Sequence, residues 1–379
     1  MATSDTVPGS WVVLLKPYVS EDGLASVTET VQTMTQDPSK PFYVEVKQKF
    51  NLPECRGFSG EFDLDTKEGI EKMDTVISVE PVRLLKHCNR IIQRPSPWGL
   101  ERISQPRKVQ PNEPYRYVYN DEAAGQNTVA YIIDTGINQE HVDFENRASR
   151  GPKFVTSNPP ASDDDVMGHG THVAGTVGGK EYGVAKKTEI ISIKVFSDIT
   201  ERARNDDIIK ALEWVSSDAQ VRGKTGVVNM SLGGPGTNPS LNAAVAATVR
   251  SGVPVCVAAG NDMATDNFCP ASEPLAITVG SMDKTDEISD FSNYGRLVDA
   301  FGPGTDITSA WIGSTTAKET ISGTSMATPH VTGLACSLLS DATLKEQTPY
   351  GVISELNVRA DKNKLLGLDR LTSNIIAQV

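Results

Sequence analysis

"VAYIIDTG", Val129 to Gly136, sets five apolar residues in a row before an aspartate and a glycine. An unbroken apolar run bounded by a turn signal fits a strand buried on both faces, the kind found in parallel sheets covered by helices. The same pattern returns in "ISIKVF" (191–196), "GVVNMSLG" (226–233), "VPVCVAAGN" (253–261) and "AITVGS" (276–281), with Ala-rich helical stretches between them. From Trp98 onward the chain therefore reads as an α/β domain built on a parallel sheet flanked by helices.

Upstream the pattern differs. "SWVVLLK" (10–16) and "PFYVEVKQKF" (41–50) read as strands, and "SEDGLASVTETVQTM" (20–34) between them as a helix capped by Ser20, with Leu24, Val27, Val31 and Met34 on one face. "NLPECRGFSG" (51–60) reads as a turn, followed by strand "EFDL", a helix around "DTKEGIEKM" and a strand in "TVISVEP". The order β-α-β-β-α-β defines a small α+β domain of the ferredoxin-like split βαβ type over residues 10–81. "VRLLKHCNRIIQRPSP" (82–97) has basic residues and prolines and reads as a linker; residues 98–379 form the second domain.

The 379 residues carry a net charge of −12, which argues against nucleic acid or an anionic membrane as partner. No apolar run is long enough to span a bilayer, and "MATSDTVPGSWVVLLKPYVS" lacks the basic and apolar regions of a secretory leader. Cys55, Cys88, Cys256, Cys269 and Cys336 are scattered and odd in number, so neither a disulfide framework nor a CxxC metal spacing is visible.

Three stretches put catalytic residue types at element boundaries. Asp134 closes a buried strand, where open α/β sheets build their sites, although alone it also reads as a turn or cap residue. His169 in "GHGTHVAGTVGG" stands between two glycines before a small-residue helix; His172 has no HExxH partner and reads as a packed histidine. In "SGTSMATPHVTG" (322–333), Ser325 sits at a helix start, where free N–H groups and the dipole favour an oxyanion. Pro329 has no N–H for the carbonyl four residues back, which leaves the Ser325 carbonyl free. His330 lies too far into that helix to be the base, and Ser322 reads as a local hydrogen-bonding residue of the approach loop. A hydroxyl needs a base, and the base an orienting anion; Asp134, His169 and Ser325 supply them in the order Asp, His, Ser.

With "YIIDTGI", "GHGTHVAGTVGG", "MSLGG", "VAAGN", "PASEP", "FSNYG", "FGPGT" and "SGTSMATPHVTGLA", the chain resembles the subtilisin family of serine proteases, in its fungal proteinase K branch. That resemblance implies a serine endopeptidase with protein and peptide substrates, monomeric and needing no cofactor for its chemistry. It implies a catalytic triad of Asp134, His169 and Ser325, with Asn261 as oxyanion donor, a residue a turn would also accept. Substrate is expected along Ser231, Leu232, Gly233 and Gly234 and against Ala258, Ala259 and Gly260, with a broad preference for apolar or aromatic residues before the cut. Residues 10–81 are expected to be an inhibitory propeptide, released by cleavage after Arg90, so that the mature chain starts near Ile91. The alternatives are an inhibitor-docked scaffold and a peptide ligase using the same acyl-enzyme. Asp299, with the carbonyls of Pro274 and Ala276, matches the family's structural calcium site. The sequence departs from the branch at Val173, where a cysteine is usual, and in "DITERARNDD", whose Arg202 and Arg204 either select acidic residues upstream of the cut or form a solvated charge run. Family likeness implies a secreted or vacuolar enzyme, whereas the absence of a leader points inside the cell.

Overall fold

The structure is a computed structural model that describes residues 6–34, 44–83, 90–110, 114–265, 267–344 and 346–379. The chain divides into Met1–Cys88 and Asn89–Val379.

In the first unit the order is β1 (Thr6–Leu15), α1 (Glu21–Thr33), β2 (Glu45–Leu52), β3 (Cys55–Glu61), α2 (Leu64–Glu71) and β4 (Val76–Arg83). The sheet order is β2-β3-β1-β4, antiparallel throughout. Ser20 caps α1 by accepting from Gly23 N–H, and Asp63 caps α2 by accepting from Thr66 N–H. Leu24, Val27 and Val31 of α1 pack with Val13, Leu15, Phe58 and Ile70, whereas Met34 is exposed. Two expectations need correcting: of "EFDL" only Glu61 is strand, with Asp63 capping α2 and Leu64 opening it, and "NLPECRGFSG" is mostly strand, turning only at Pro53 and Glu54. Its glycines serve close strand approach, since a Cβ on Gly57 would lie 2.0 Å from the Val13 carbonyl oxygen. Residues 41–43 of the expected second strand and 84–89 of the expected linker lie outside the described residues.

The second unit opens with β5 (Arg90–Gln93), α3 (Trp98–Ile103) and β6 (Tyr117–Asn120), β5 pairing antiparallel with β6. The stretch expected as linker thus carries strand residues at both ends, Val82 and Arg83 in β4 and Arg90–Gln93 in β5. Next come β7 (Thr128–Asp134), β8 (Ala148–Lys153), α4 (His169–Gly178), β9 (Glu189–Lys194), α5 (Asn205–Arg222), β10 (Thr225–Met230), β11 (Gly234–Pro235) and α6 (Pro239–Arg250). They are followed by β12 (Val255–Ala258), β13 (Phe268–Cys269), β14 (Ile277–Met282), β15 (Ala300–Pro303), β16 (Ile307–Ala310) and β17 (Lys318–Ile321). The unit closes with α7 (Thr324–Ser340), α8 (Pro349–Arg359), β18 (Asp361–Lys362) and β19 (Ile375–Ile376).

Nine strands form the main sheet in the order β18-β19-β15-β14-β12-β10-β7-β9-β8, all parallel except the edge strand β18. The unbroken apolar runs follow from burial on both faces. In β7, Val129, Tyr131 and Ile133 pack with Leu212 of α5 and Val245 of α6, while Ala130 and Ile132 face Val177 of α4 and Val331 of α7. From β7 the chain adds strands on both sides, so the crevice for a ligand opens at the carboxyl ends of the strands beside it. Asp134 ends β7, Ser231 follows β10, and the turn Ala259–Asn261 follows β12 at that end.

Candidate active site

Asp134 is fully buried, and its Oδ1 accepts both the His169 Nδ1 proton at 2.7 Å and the Thr135 N–H at 2.7 Å. Its Oδ2 has no hydrogen-bond partner among the described residues. Burial lowers the His169 pKa, but the charge and hydrogen bond of Asp134, with the charge of Asp165, outweigh it and leave the imidazole above its ordinary value. The bond to Nδ1 leaves Nε2 as the basic nitrogen of the neutral ring. His169 opens α4 behind Gly168, whose φ of 88° and contact with the Trp311 ring, 2.5 Å from an added Cβ, both exclude a side chain.

Asp165 is a positioning residue that sequence reasoning missed. Its Oδ1 accepts from Thr135 Oγ1, Met167 N and Gly168 N at 2.9–3.1 Å, and its Oδ2 from Thr171 N and Thr171 Oγ1 at 3.0 and 2.6 Å. Thr135 Oγ1 in turn accepts from Gly170 N at 2.8 Å. One buried carboxylate and one hydroxyl therefore clamp the loop after Asp134 to the start of the histidine helix. His172 is buried, hydrogen-bonded through Nε2 to the Ile307 carbonyl at 2.9 Å, and burial pushes its pKa down to about 4. His330 is likewise buried, bonded to the Met326 carbonyl.

Ser325 lies in the first turn of α7, and its Oγ donates to the Ser231 carbonyl at 3.1 Å. The carbonyl that Pro329 leaves open is taken by Ser231, whose Oγ donates to Ser325 O at 2.8 Å and accepts from Asn229 Nδ2 at 2.9 Å. Of the residues expected to wall the substrate, Ser231 is thus buried with its side chain committed to the serine helix rather than to a groove. Ser322 Oγ accepts from Asp306 N, a bond to the neighbouring loop.

Asn261 presents its carbonyl oxygen to Thr324 N and Thr324 Oγ1, both at 2.9 Å, which turns its Nδ2 the other way. A point one Cβ bond out from Gly323 lies 3.6 Å from both Asn261 Nδ2 and Ser325 N, so two N–H donors converge on one small space. Hydrogen-bond donors aimed at such a space stabilise an oxyanion.

Leu232, Gly233 and Gly234 run from Ser231 into a groove of about 620 Å³, faced by Glu201, Arg202, Ala203 and Asn205 and floored by Phe196, Ile208 and Leu241. The wall Ala258, Ala259, Gly260 is buried and held by Asn293, whose Nδ2 donates to Ala259 O at 2.8 Å. Phe268 fills the space between the two walls: a Cβ on Gly233 would lie 2.3 Å from its ring and one on Gly260 3.1 Å. Nothing in the sequence marked Phe268 beyond its place shortly before "PASEP". The two arginines of "DITERARNDD" part company: Arg204 is paired with Asp206, whereas Arg202 faces the groove.

A buried aspartate bonded to a histidine, a serine at a helix start, and converging N–H donors on a parallel α/β sheet define a serine hydrolase of the Asp-His-Ser order. The sequence profile of the subtilase family matches residues 125–370. Alkaline protease 1 of Aspergillus clavatus is 39% identical over 383 residues, covering 96% of this chain and 92% of that protein. Subtilisin-like proteinase Mp1 of Magnaporthiopsis poae is 39% identical over 344 residues, covering 89% and 83%. The crystal structure of a cold adapted subtilisin-like serine proteinase superposes with a TM-score of 0.65 at 39% identity, covering 75% of this chain and 98% of that one. The chain belongs to the subtilase family and is a subtilisin-like serine endopeptidase.

Proposed function

We propose that Ser325 attacks a peptide carbonyl and forms an acyl-enzyme, with His169 taking and returning the proton and Asp134 orienting the imidazole. The observation that carries this reading is the 2.7 Å Asp134–His169 bond together with the convergence of Asn261 Nδ2 and Ser325 N beside Gly323. In the free protein the Ser325 hydroxyl rests on the Ser231 carbonyl; rotation about χ1 brings it to His169 Nε2 when substrate binds, as catalytic hydrogen bonds often tighten only in the complex. The tetrahedral oxyanion then forms between the Asn261 amide and the Ser325 N–H. Loss of the Asn261 donor costs about 3–4 kcal/mol of transition-state stabilisation.

The substrate lies extended along Leu232–Gly234 and against Ala258–Gly260, and Phe268 limits the depth of the pocket for the residue before the cut. A broad apolar or aromatic preference follows from these small and apolar walls. The enzyme acts as a monomer and is made as a zymogen, the first unit serving as its intramolecular inhibitor until cleavage near Arg90.

The residues around Asp299 fit a structural calcium. Asp299 Oδ2 accepts from Thr278 N at 2.8 Å and Asp299 N donates to Thr278 O at 2.9 Å, which fixes the carboxylate at the entry to β14, two residues past Ala276. Its other oxygen has no hydrogen bond among the described residues, so it would offer calcium one hard oxygen donor, with the carbonyls of Pro274 and Ala276 proposed as the others. Calcium would brace this loop and takes no part in the chemistry. Chelation with EGTA is expected to shorten the half-life of activity on heating; an unchanged half-life removes the site.

A fluorophosphonate probe is expected to label Ser325, with labelling lost in Ser325→Ala, and N-terminal sequencing of the active material should read from near Ile91. Labelling that persists in Ser325→Ala would overturn the assignment.

A further inference from the structure

Lys194 closes β9 directly opposite Asp134 of β7, and Val195 N donates to Asp134 O at 2.9 Å. The residue is 2% exposed, so its ammonium needs partners inside the protein. Nζ donates to Thr135 O at 2.7 Å and to Asp164 O at 2.9 Å, and pairs with Asp198 Oδ1 at 2.7 Å. Thr135 follows Asp134 in the chain, and Asp164 precedes the carboxylate that holds the start of the histidine helix. The third partner, Asp198, lies in the loop whose other residues wall the groove. Asp198 sits in a closed loop in which Ser197 N donates to Arg202 O at 3.0 Å, Glu201 N to Ser197 O at 2.9 Å, and Phe196 bridges Ala203. That loop supplies Phe196, Glu201, Arg202 and Ala203 to the wall facing Gly233 and Gly234. The other oxygen of Asp198 accepts from Ser162 N at 2.6 Å, in the segment leading to Asp165.

An apolar side chain at position 194 would fill the same space with no dependence on the loop. An ion pair behaves differently, because the place of the ammonium depends on the place of Asp198. We propose that Lys194 and Asp198 are positioning residues that couple the filling of the groove to the alignment of Asp134 and His169. A peptide seated against residues 201–205 fixes the loop, the loop fixes Asp198, and Lys194 then sets the two carbonyls that flank the catalytic aspartate and lead to the histidine. Upstream substrate residues on this account raise kcat and not only binding, as binding energy spent on orientation does. The inference rests on the proteolytic reading above.

The test compares two peptide anilides with the same residue at the cut, one with two residues before it and one with four, on the full protein after maturation. Active enzyme is counted by fluorophosphonate titration of Ser325. In the unaltered protein the longer peptide is expected to gain about tenfold in kcat. In Asp198→Asn, which keeps an acceptor for Ser162 N–H, most of that gain should vanish while KM for the longer peptide stays within about twofold. Lys194→Met is expected to behave alike, and Asp198→Asn keeps the test open if the lysine variant does not fold. Equal loss of kcat on both peptides would mean a merely structural role and overturn the proposal, as would a gain in the unaltered protein that lies wholly in KM. An unaltered protein that neither takes the label nor cleaves either peptide overturns the proteolytic reading itself, and this inference with it.

Discussion

At the residue scale the site turns on one imidazole. His169 must be neutral to accept the Ser325 proton, and its pKa lies above the ordinary 6.5 because the Asp134 charge and hydrogen bond outweigh the effect of burial. Activity therefore rises with pH through that raised value: below it the ring is cationic and holds no lone pair for the serine. Asp134→Asn removes the anion that favours the protonated ring, so the midpoint of the kcat/KM profile should move toward acid. Turnover should also fall by about 10⁴, since an amide at that position no longer holds the productive tautomer. Stopped assays between mildly acidic and alkaline pH on titrated enzyme check both parts; a midpoint that moves toward alkali would contradict the assigned partner. Thr324 works at the same scale through another residue. Its N–H and hydroxyl fix the Asn261 oxygen, and its Oγ1 accepts from Gly260 N at 3.2 Å, so the amide cannot flip without losing both donors.

At the scale of elements, the serine helix shows how one backbone defect is put to use. Pro329 in α7 offers no N–H to the Ser325 carbonyl, and Ser231, just past β10, donates to it instead. Asn229 Nδ2 donates to Ser231 Oγ while Asn229 Oδ1 accepts from Thr332 Oγ1, which returns the chain of bonds to α7 two turns on. The free carbonyl was legible in the sequence, because the missing proline N–H is a local property. Its partner was not, since Ser231 lies 94 residues away and only the sheet brings it there. The sheet strands were legible for a related reason: burial on both faces leaves an unbroken apolar run that needs no knowledge of neighbours. Gly57 and Gly60 misled because glycine signals turns and close strand crossings alike, and only the approach of β1 and β2 separates the two. Asp165 is the last of three consecutive aspartates, and nothing local tells them apart: Asp163 and Asp164 face Lys153 and Arg150 at the surface, while Asp165 turns inward.

For the molecule as a whole, the second unit is tied end to end by one cation. Arg102 of α3 is fully buried. Its Nε and one terminal nitrogen donate to the two oxygens of Asp286 at 2.7 and 3.2 Å, that nitrogen also reaches Asp361 at 2.9 Å, and its Nη1 reaches the Gln105 carbonyl at 3.1 Å. Gln378 Nε2 donates to the Arg102 carbonyl at 3.0 Å, and Val379 N to Ile103 O at 2.8 Å. The loop after β14 and strand β18 thus meet at the guanidinium, and the last residues are bonded to the backbone of the same helix, α3. Among the described residues of this unit Cys256, Cys269 and Cys336 are free, so this charge cluster and packing, rather than a disulfide, hold these segments together. Taking the cation away strands two carboxylates in a poorly hydrated place, which costs about 3–5 kcal/mol where a buried pair is broken from one side. Arg102→Leu, made in a Ser325→Ala background so that self-digestion does not intrude, should therefore lose stability of that order in urea unfolding. Adding Asp286→Asn and Asp361→Asn to it should recover part of the loss, because neutral amides leave no unpaired charge. A triple variant no more stable than Arg102→Leu alone would show that packing around the guanidinium, rather than its charge, joins the two ends of the unit.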